Sequence, residues 1–277
     1  MVPNKTEVIV KPPYPGIFYF EHAFDPVEAV HWMDGFWTNS FYLVGAYLTF
    51  LVVGQKVMRS RARFQLTKPM ILWNLGLALF SIFGAIRTVP ELWFVLNRAE
   101  NGFHYSVCHT SWAHNKAFQL WLFLFIMSKS VELGDTVFIV LRKQKLIFLH
   151  WYHHITVLVY CWYSYTELIS TSRWFMATNF TIHAFMYSYY FLKAMRIWVP
   201  KQISVAITTA QIVQMVAGVV VNVHAMRAKR RGEICGVTEA NISWSLIMYS
   251  TYFILFAKFF YDAYLAKPVK AEELKKS

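Results

Sequence analysis

Charge is what this sequence lacks. Only 15% of its 277 residues are Asp, Glu, Lys or Arg, and the acids number 15 against 27 bases, whereas ordinary soluble domains are about 25% charged. A soluble domain of this length would need a charged outer surface that these residues cannot supply. Cysteine is scarce as well, with three in the whole chain, which excludes a disulfide-dense secreted scaffold. The 57% hydrophobic content excludes a disordered chain. The apolar runs show no period-two alternation, which argues against the strands of a lipid-facing barrel. The first 30 residues, which include KPPYPGIFYFEHAFDPVE, lack the order of a basic segment followed by a short apolar one. Insertion is therefore expected to use the first span itself rather than a signal peptide.

Six stretches free of charge stand out: Gly35 to Gln55, Pro69 to Ile86, Leu146 to Thr166, Trp174 to Leu192, Gln202 to Met226 and Ala240 to Ala257. Each matches the roughly 20 residues that a membrane-spanning helix requires. A seventh, about Ala117 to Leu141, is equally apolar but contains Lys129, Glu132 and Asp135. The expectation is an all-α integral membrane protein of seven transmembrane helices, organised as an N-terminal segment 1–34, a membrane domain 35–266 and a tail 267–277. Its aromatic content of 18% suits helix ends at membrane interfaces. With a cytosolic C-terminus, 16 of the 27 Lys and Arg fall on the cytosolic side, as the positive-inside rule asks. The run Arg227 to Arg231 opposes that vote, and Arg87 is expected to cap the second span or to reach toward the interface. In this orientation Asn4-Lys5-Thr6 is a lumenal glycosylation sequon. Cys108 and Cys235 also fall on the lumenal side, either bridged or as two separate thiols.

Ionisable groups at bilayer depth mark function. The fourth span holds His150, His153 and His154, whose i, i+3, i+4 spacing places three imidazoles on one helix face. The third carries Lys129, Glu132, Asp135 and Thr136 on one stripe, readable as a site or as an ion-pair network pinning helices together. The fifth has Asn179 and His183 one turn apart, followed by Met186, Tyr187 and Tyr190. The sixth has Thr208, Gln211 and Gln214, which also suit interhelical hydrogen bonds. Three chemistries compete for these groups. A di-iron desaturase or hydroxylase would need about twice the membrane-side histidines present here, since only His150, His153, His154 and His183 lie well inside spans. A seven-span receptor or transporter gives no reason for H-x-x-H-H beside carboxylates. Nucleophilic and general-base catalysis by neutral, buried imidazole fits the set.

The segments FLHWYHH, Lys129-x-x-Glu132-x-x-Asp135-Thr136, Asn179-x-x-x-His183-x-x-Met186-Tyr187-x-Tyr189-Tyr190 and Thr208-x-x-Gln211-x-x-Gln214 resemble, in this order, the motifs of the very-long-chain fatty acid elongase family, the membrane 3-oxoacyl-CoA synthases. The HWYHH form is similar to the branch acting on saturated and monounsaturated chains. The resemblance implies that spans two to seven form a barrel-like bundle of two inverted three-helix units around an acyl tunnel, with the first span outside it. It implies condensation of acyl-CoA with malonyl-CoA in the endoplasmic reticulum membrane, with no metal or redox cofactor, beside the reductase and dehydratase of the elongation cycle. No nucleic-acid partner is expected, and dimerisation stays open. His153 is the expected nucleophile, unless the cluster acts only as base in a single step; His183 and His150 are expected as base or malonyl-orienting groups, and His154 completes the cluster. Asn179 and Gln211 are expected as oxyanion donors, and Glu132 and Asp135 as carboxylates that fix histidine tautomers beside Lys129. Arg142, Lys143 and Lys145 are candidates for the CoA phosphates, or else serve topology and lipid headgroups.

Overall fold

The computed structural model describes residues 16–98 and 100–266, all of them helical or in turns and loops. The sequon at Asn4 and the tail 267–277 lie outside the described residues. Two short helices, α1 (Tyr19–Ala23) and α2 (Pro26–Phe36), precede α3 (Asn39–Arg59) and α4 (Thr67–Arg98). Then come α5 (Gly102–Cys108), a 3₁₀ turn (Ser111–His114), α6 (Lys116–Glu132), α7 (Gly134–Leu141) and α8 (Phe148–Thr166). The chain continues through α9 (Ser172–Ala194), α10 (Lys201–Arg230) and α11 (Glu239–Phe260), and a π-helical turn (Tyr261–Leu265) closes it. The start of α2 follows from its sequence, because Asp25 accepts hydrogen bonds from the amides of Val27 and Glu28 at 2.9 and 3.1 Å and Pro26 has no amide hydrogen to leave unpaired.

Four segments, Asn39–Arg59, Thr67–Asn97, Lys201–Arg230 and Glu239–Leu265, are long and apolar enough to cross a membrane. They turn large apolar side chains outward, among them Val52, Leu72, Phe83, Val213, Val220 and Ile254. Such a belt is a liability in water and the normal surface in lipid. The chain is thus a helical integral membrane protein. The remaining expected spans coincide with α6–α7, α8 and α9, where polar residues dilute the apolar run.

The structure refines three expectations. The third stretch is two helices rather than one, since α6 ends at Glu132 and α7 begins at Gly134. The second span does not end near Ile86. Helix α4 runs on through Pro90 to Arg98, and its 32 residues make it about 48 Å long, beyond the roughly 30 Å of a bilayer core. Arg87 therefore does not cap the end of this helix. It is buried, and its Nε and Nη2 donate to the two carboxylate oxygens of Glu21 at 2.8 and 2.6 Å, while Trp121 donates to Glu21 at 2.9 Å. Finally, Arg227, Lys229 and Arg230 form the last turn of α10, where positive charge complements the helix dipole.

The most extensive helix pairs are α4 with α9 and α10 with α11. Gly218 permits the second, because a methyl group there would overlap the ring of Tyr249. One core, built on Trp112, Trp121, Phe125, Trp162 and Phe180, fills the space among α4, α6, α8 and α9. A second, with Met215, Val221, Tyr249 and Tyr252, lies along α10 and α11. Cys108 and Cys235 form a disulfide. Around it Gly236 donates to the Cys108 carbonyl, and Ser170 donates to that of Gly236, both at 2.8 Å. The loops between α5 and α6, α8 and α9, and α10 and α11 are thereby tied together at one end of the bundle.

Candidate active site

A cavity of about 700 Å³ opens among α4, α6–α7, α8, α9, α10 and α11, and none of its lining residues comes from α3. His150, His153 and His154 line it from α8, Asn179, His183 and Tyr187 from α9, and Gln211 and Gln214 from α10. Glu132 and Asp135 reach it from either side of the break between α6 and α7. The three imidazoles do converge: the ring centroids of His150 and His154 are 4.4 Å apart, and those of His153 and His154 are 5.6 Å apart.

Lys129 does not line the cavity; it is buried behind it, at 2% exposure. Its ammonium donates to Glu132 Oε1 at 2.7 Å and to Asn179 Oδ1 at 3.1 Å, and it lies 4.4 Å from the centre of the Phe125 ring. Ser128 adds a bond to Glu132 Oε1 at 2.9 Å. These contacts set the protons of the cluster. An ammonium can only donate, so Asn179 must turn its oxygen toward Lys129 and its NH₂ toward His183 Nε2, 3.2 Å away. His183 then accepts at Nε2 and carries its own proton on Nδ1, which faces Glu132 Oε2 at 3.8 Å. Glu132 faces an imidazole, at a distance beyond hydrogen bonding, so the tautomer is set by Asn179.

Asp135 sets no tautomer either. Its two oxygens accept from Trp73 Nε1 at 2.6 Å and from the Tyr187 hydroxyl at 2.8 Å, so its partners are aromatic rather than imidazole. The next residue, Thr136, meets a histidine instead: its hydroxyl lies 2.9 Å from His150 Nε2 and 2.7 Å from the hydroxyl of Tyr47 on α3. Gln211 directs its amide to Met186 Sδ at 3.4 Å. Among the described residues the His153 ring has no hydrogen-bond partner. It lies 4.9 Å from the ring of Tyr252, whose hydroxyl donates to the His153 carbonyl at 3.3 Å. The buried His154 Nδ1 is likewise without a partner.

The three expected phosphate-binding cations separate. Arg142 lines the cavity, and so does Lys193, which its sequence context did not mark. Lys143 spends its ammonium on the Arg59 and Arg61 carbonyls at 3.3 and 3.1 Å. Lys145 is exposed and outside the lining. Among the described residues no group of three or more His, Cys, Asp or Glu side chains is arranged to hold a metal ion.

Residues 32–272 match the model of the ELO, GNS1/SUR4 family. The chain belongs to this family. It is 50% identical over 263 residues to very long chain fatty acid elongase 6 of Drosophila melanogaster, covering 94% of this chain and 83% of that protein. It is 45% identical over 257 residues to the Gallus gallus protein of the same name, covering 93% and 96%. With the Homo sapiens protein it shares 44% over 250 residues, covering 90% and 93%. The matched region contains every helix from α3 to α11 and every residue of the cavity.

Sequence reasoning missed Tyr47, Trp73 and Tyr252. Each is one of many aromatics in apolar helices, and nothing local distinguishes it from a lipid-facing neighbour.

Proposed function

We propose that this protein is a fatty acid elongase, the condensing enzyme that joins a long-chain acyl-CoA to malonyl-CoA and releases 3-oxoacyl-CoA, CO₂ and CoA. The observation that carries this reading is the His153 imidazole, unengaged and lining the same cavity as a His183 whose tautomer is set by Asn179 and whose Nδ1 faces Glu132. Family membership agrees with it and sets the desaturase and receptor readings aside.

In the mechanism, a ring nitrogen of His153 attacks the thioester carbonyl of acyl-CoA. The C–S bond breaks, CoA thiolate leaves and takes a proton from water, and the acyl group stays on the imidazole. The proton shed by the His153 ring passes to His183 Nε2 as the Asn179 amide releases that nitrogen and turns to the oxyanion, and the Glu132 carboxylate facing His183 Nδ1 stabilises the resulting cation, as a carboxylate does in a hydrolase triad. Malonyl-CoA then binds and its C–CO₂⁻ bond breaks. The electron pair left behind attacks the acyl carbon, and the imidazole departs as it regains its proton. Decarboxylation supplies the carbanion equivalent, so the step calls on no metal or redox cofactor. Asn179 and Gln211 donate to the oxyanion that forms at the acyl carbon, and His150 orients malonyl-CoA, with His154 packed behind it.

In this reading the chain crosses the endoplasmic reticulum membrane seven times. Helices α4 and α6 to α11 enclose an acyl tunnel, and α3 lies outside it. The N-terminus is lumenal, on the same side as the disulfide, and Arg142 and Lys193 hold the CoA phosphates at the cytosolic mouth. The substrates are saturated and monounsaturated long chains, and the product passes to a reductase and then a dehydratase. Microsomes carrying the chain, supplied with labelled malonyl-CoA and a series of acyl-CoAs, should form 3-oxoacyl-CoA, and His153→Ala should form none. Purified protein incubated with acyl-CoA alone should show the acyl mass on a peptide containing His153. Condensation that survives His153→Ala, or absence of product with every acyl-CoA, refutes the assignment.

A further inference from the structure

Helix α3 contributes nothing to the cavity wall, yet one of its side chains reaches the histidine cluster. Tyr47 is 6% exposed and Thr136 is fully buried. The tyrosine hydroxyl lies 2.7 Å from Thr136 Oγ1, which in turn lies 2.9 Å from His150 Nε2. Two hydroxyl protons and one ring nitrogen must share these two contacts, and only one direction accommodates them. If Tyr47 donates to Thr136, and Thr136 donates to His150 Nε2, both protons are used and the nitrogen lone pair is filled. In the reverse direction, His150 Nε2–H donates to Thr136 and Thr136 to Tyr47. The buried tyrosine proton then has no acceptor among the described residues; where Tyr47 and His150 both donate to Thr136, the buried threonine proton has none, and an unsatisfied buried donor is the costlier state.

We infer that Tyr47, acting through Thr136, is a positioning residue that holds His150 as its Nδ1–H tautomer. His150 is then a fixed hydrogen-bond donor in the site, and its filled Nε2 is withdrawn from service as a base. The rest of α3 is built to hold this contact. Gly54 lies close enough to Val140 that a methyl group there would meet it at 3.2 Å, and the Lys143 ammonium clamps the carbonyls of Arg59 and Arg61 at the end of the helix. Tyr47, Leu51, Met58 and Val140 form a separate small core between α3 and α7. The first long helix, outside the bundle, thus belongs to the catalytic apparatus.

The inference rests on the proposed condensation, and the test separates the two. Full-length protein in nanodiscs is assayed with acyl-CoA and labelled malonyl-CoA. The variants are Tyr47→Phe, Thr136→Val and Thr136→Ser, with Tyr42→Phe as an exposed control on the same helix. A misplaced donor slows chemistry without weakening binding. Tyr47→Phe and Thr136→Val should therefore lower kcat about tenfold or more while KM stays within about twofold. Thr136→Ser, which keeps the hydroxyl, should recover most of the wild-type kcat, and Tyr42→Phe should match wild type. Full kcat in Tyr47→Phe, or Thr136→Ser no better than Thr136→Val, overturns the relay. If Tyr47→Phe fails to fold, the Ser and Val variants decide by themselves. Wild-type protein that forms no 3-oxoacyl-CoA overturns the condensation reading instead.

Discussion

Alanine at position 134 would place a methyl group 2.6 Å from two carbons of the six-membered ring of Trp73. Carbon atoms rest about 3.5–4.0 Å apart, so the indole or α7 must move by roughly 1 Å. Neither is free to do so. The indole N–H is committed to Asp135 at 2.6 Å, and its ring packs on Phe138 with centroids 5.8 Å apart. Overpacking costs about 1–3 kcal/mol, and loosening a hydrogen bond to a charged group costs about 1.5–3 kcal/mol more. The helix-propensity gain from Gly to Ala offsets at most about 1 kcal/mol. Gly134→Ala should therefore destabilise the protein by about 1.5–5 kcal/mol on these terms. It should also lower the condensation rate, because Asp135 and the adjacent Thr136 are displaced together. Thermal melts in detergent and incorporation of labelled malonyl-CoA measure the two effects. The decisive comparison is the double-mutant cycle with Trp73→Phe, which removes the obstructing ring. In that background Gly134→Ala should be nearly neutral. A wild-type melting temperature and rate for Gly134→Ala, or an equal penalty in both backgrounds, refutes the steric argument.

Three further outcomes follow from the geometry. Arg87→Leu alone should cost about 3–5 kcal/mol by leaving the buried Glu21 carboxylate without its cation, and the double substitution Glu21→Leu/Arg87→Leu should regain much of the loss in a thermal melt. Arg142→Ala and Lys193→Ala should raise KM for the CoA thioester several-fold in a salt-dependent way with little change in kcat. Lys145→Ala should leave both constants unaltered in the same steady-state assay. Removing the Cys108–Cys235 bridge, which spans 127 residues, should destabilise the fold by up to about 5 kcal/mol on the chain-entropy model. Melting with and without reductant, compared with Cys108→Ser/Cys235→Ser, measures it.

Much of this protein is legible without coordinates because its information is local. A stretch such as Gln202 to Met226 has no charge to place in water, and backbone groups in lipid must pair within their own helix, so the helices follow from composition. The spacing of His150, His153 and His154 puts them on one face whatever surrounds that face. The same holds for Lys129 and Glu132, one turn apart and bonded at 2.7 Å.

What the sequence alone could not determine depends on partners that are distant along the chain. Arg87 looks like a helix-end cation until Glu21, 66 residues earlier, folds against it. Asp135 looks like a histidine partner until Trp73 and Tyr187, 62 and 52 residues away, take both of its oxygens. Tyr47 acquires a role only because packing of α3 on α7 sets it beside Thr136, 89 positions on. The division has a physical cause. Helix formation and facing are fixed by hydrogen bonds and periodicity within a few residues, whereas proton positions at the site are set by which donors and acceptors the packed bundle brings within 3 Å of one another.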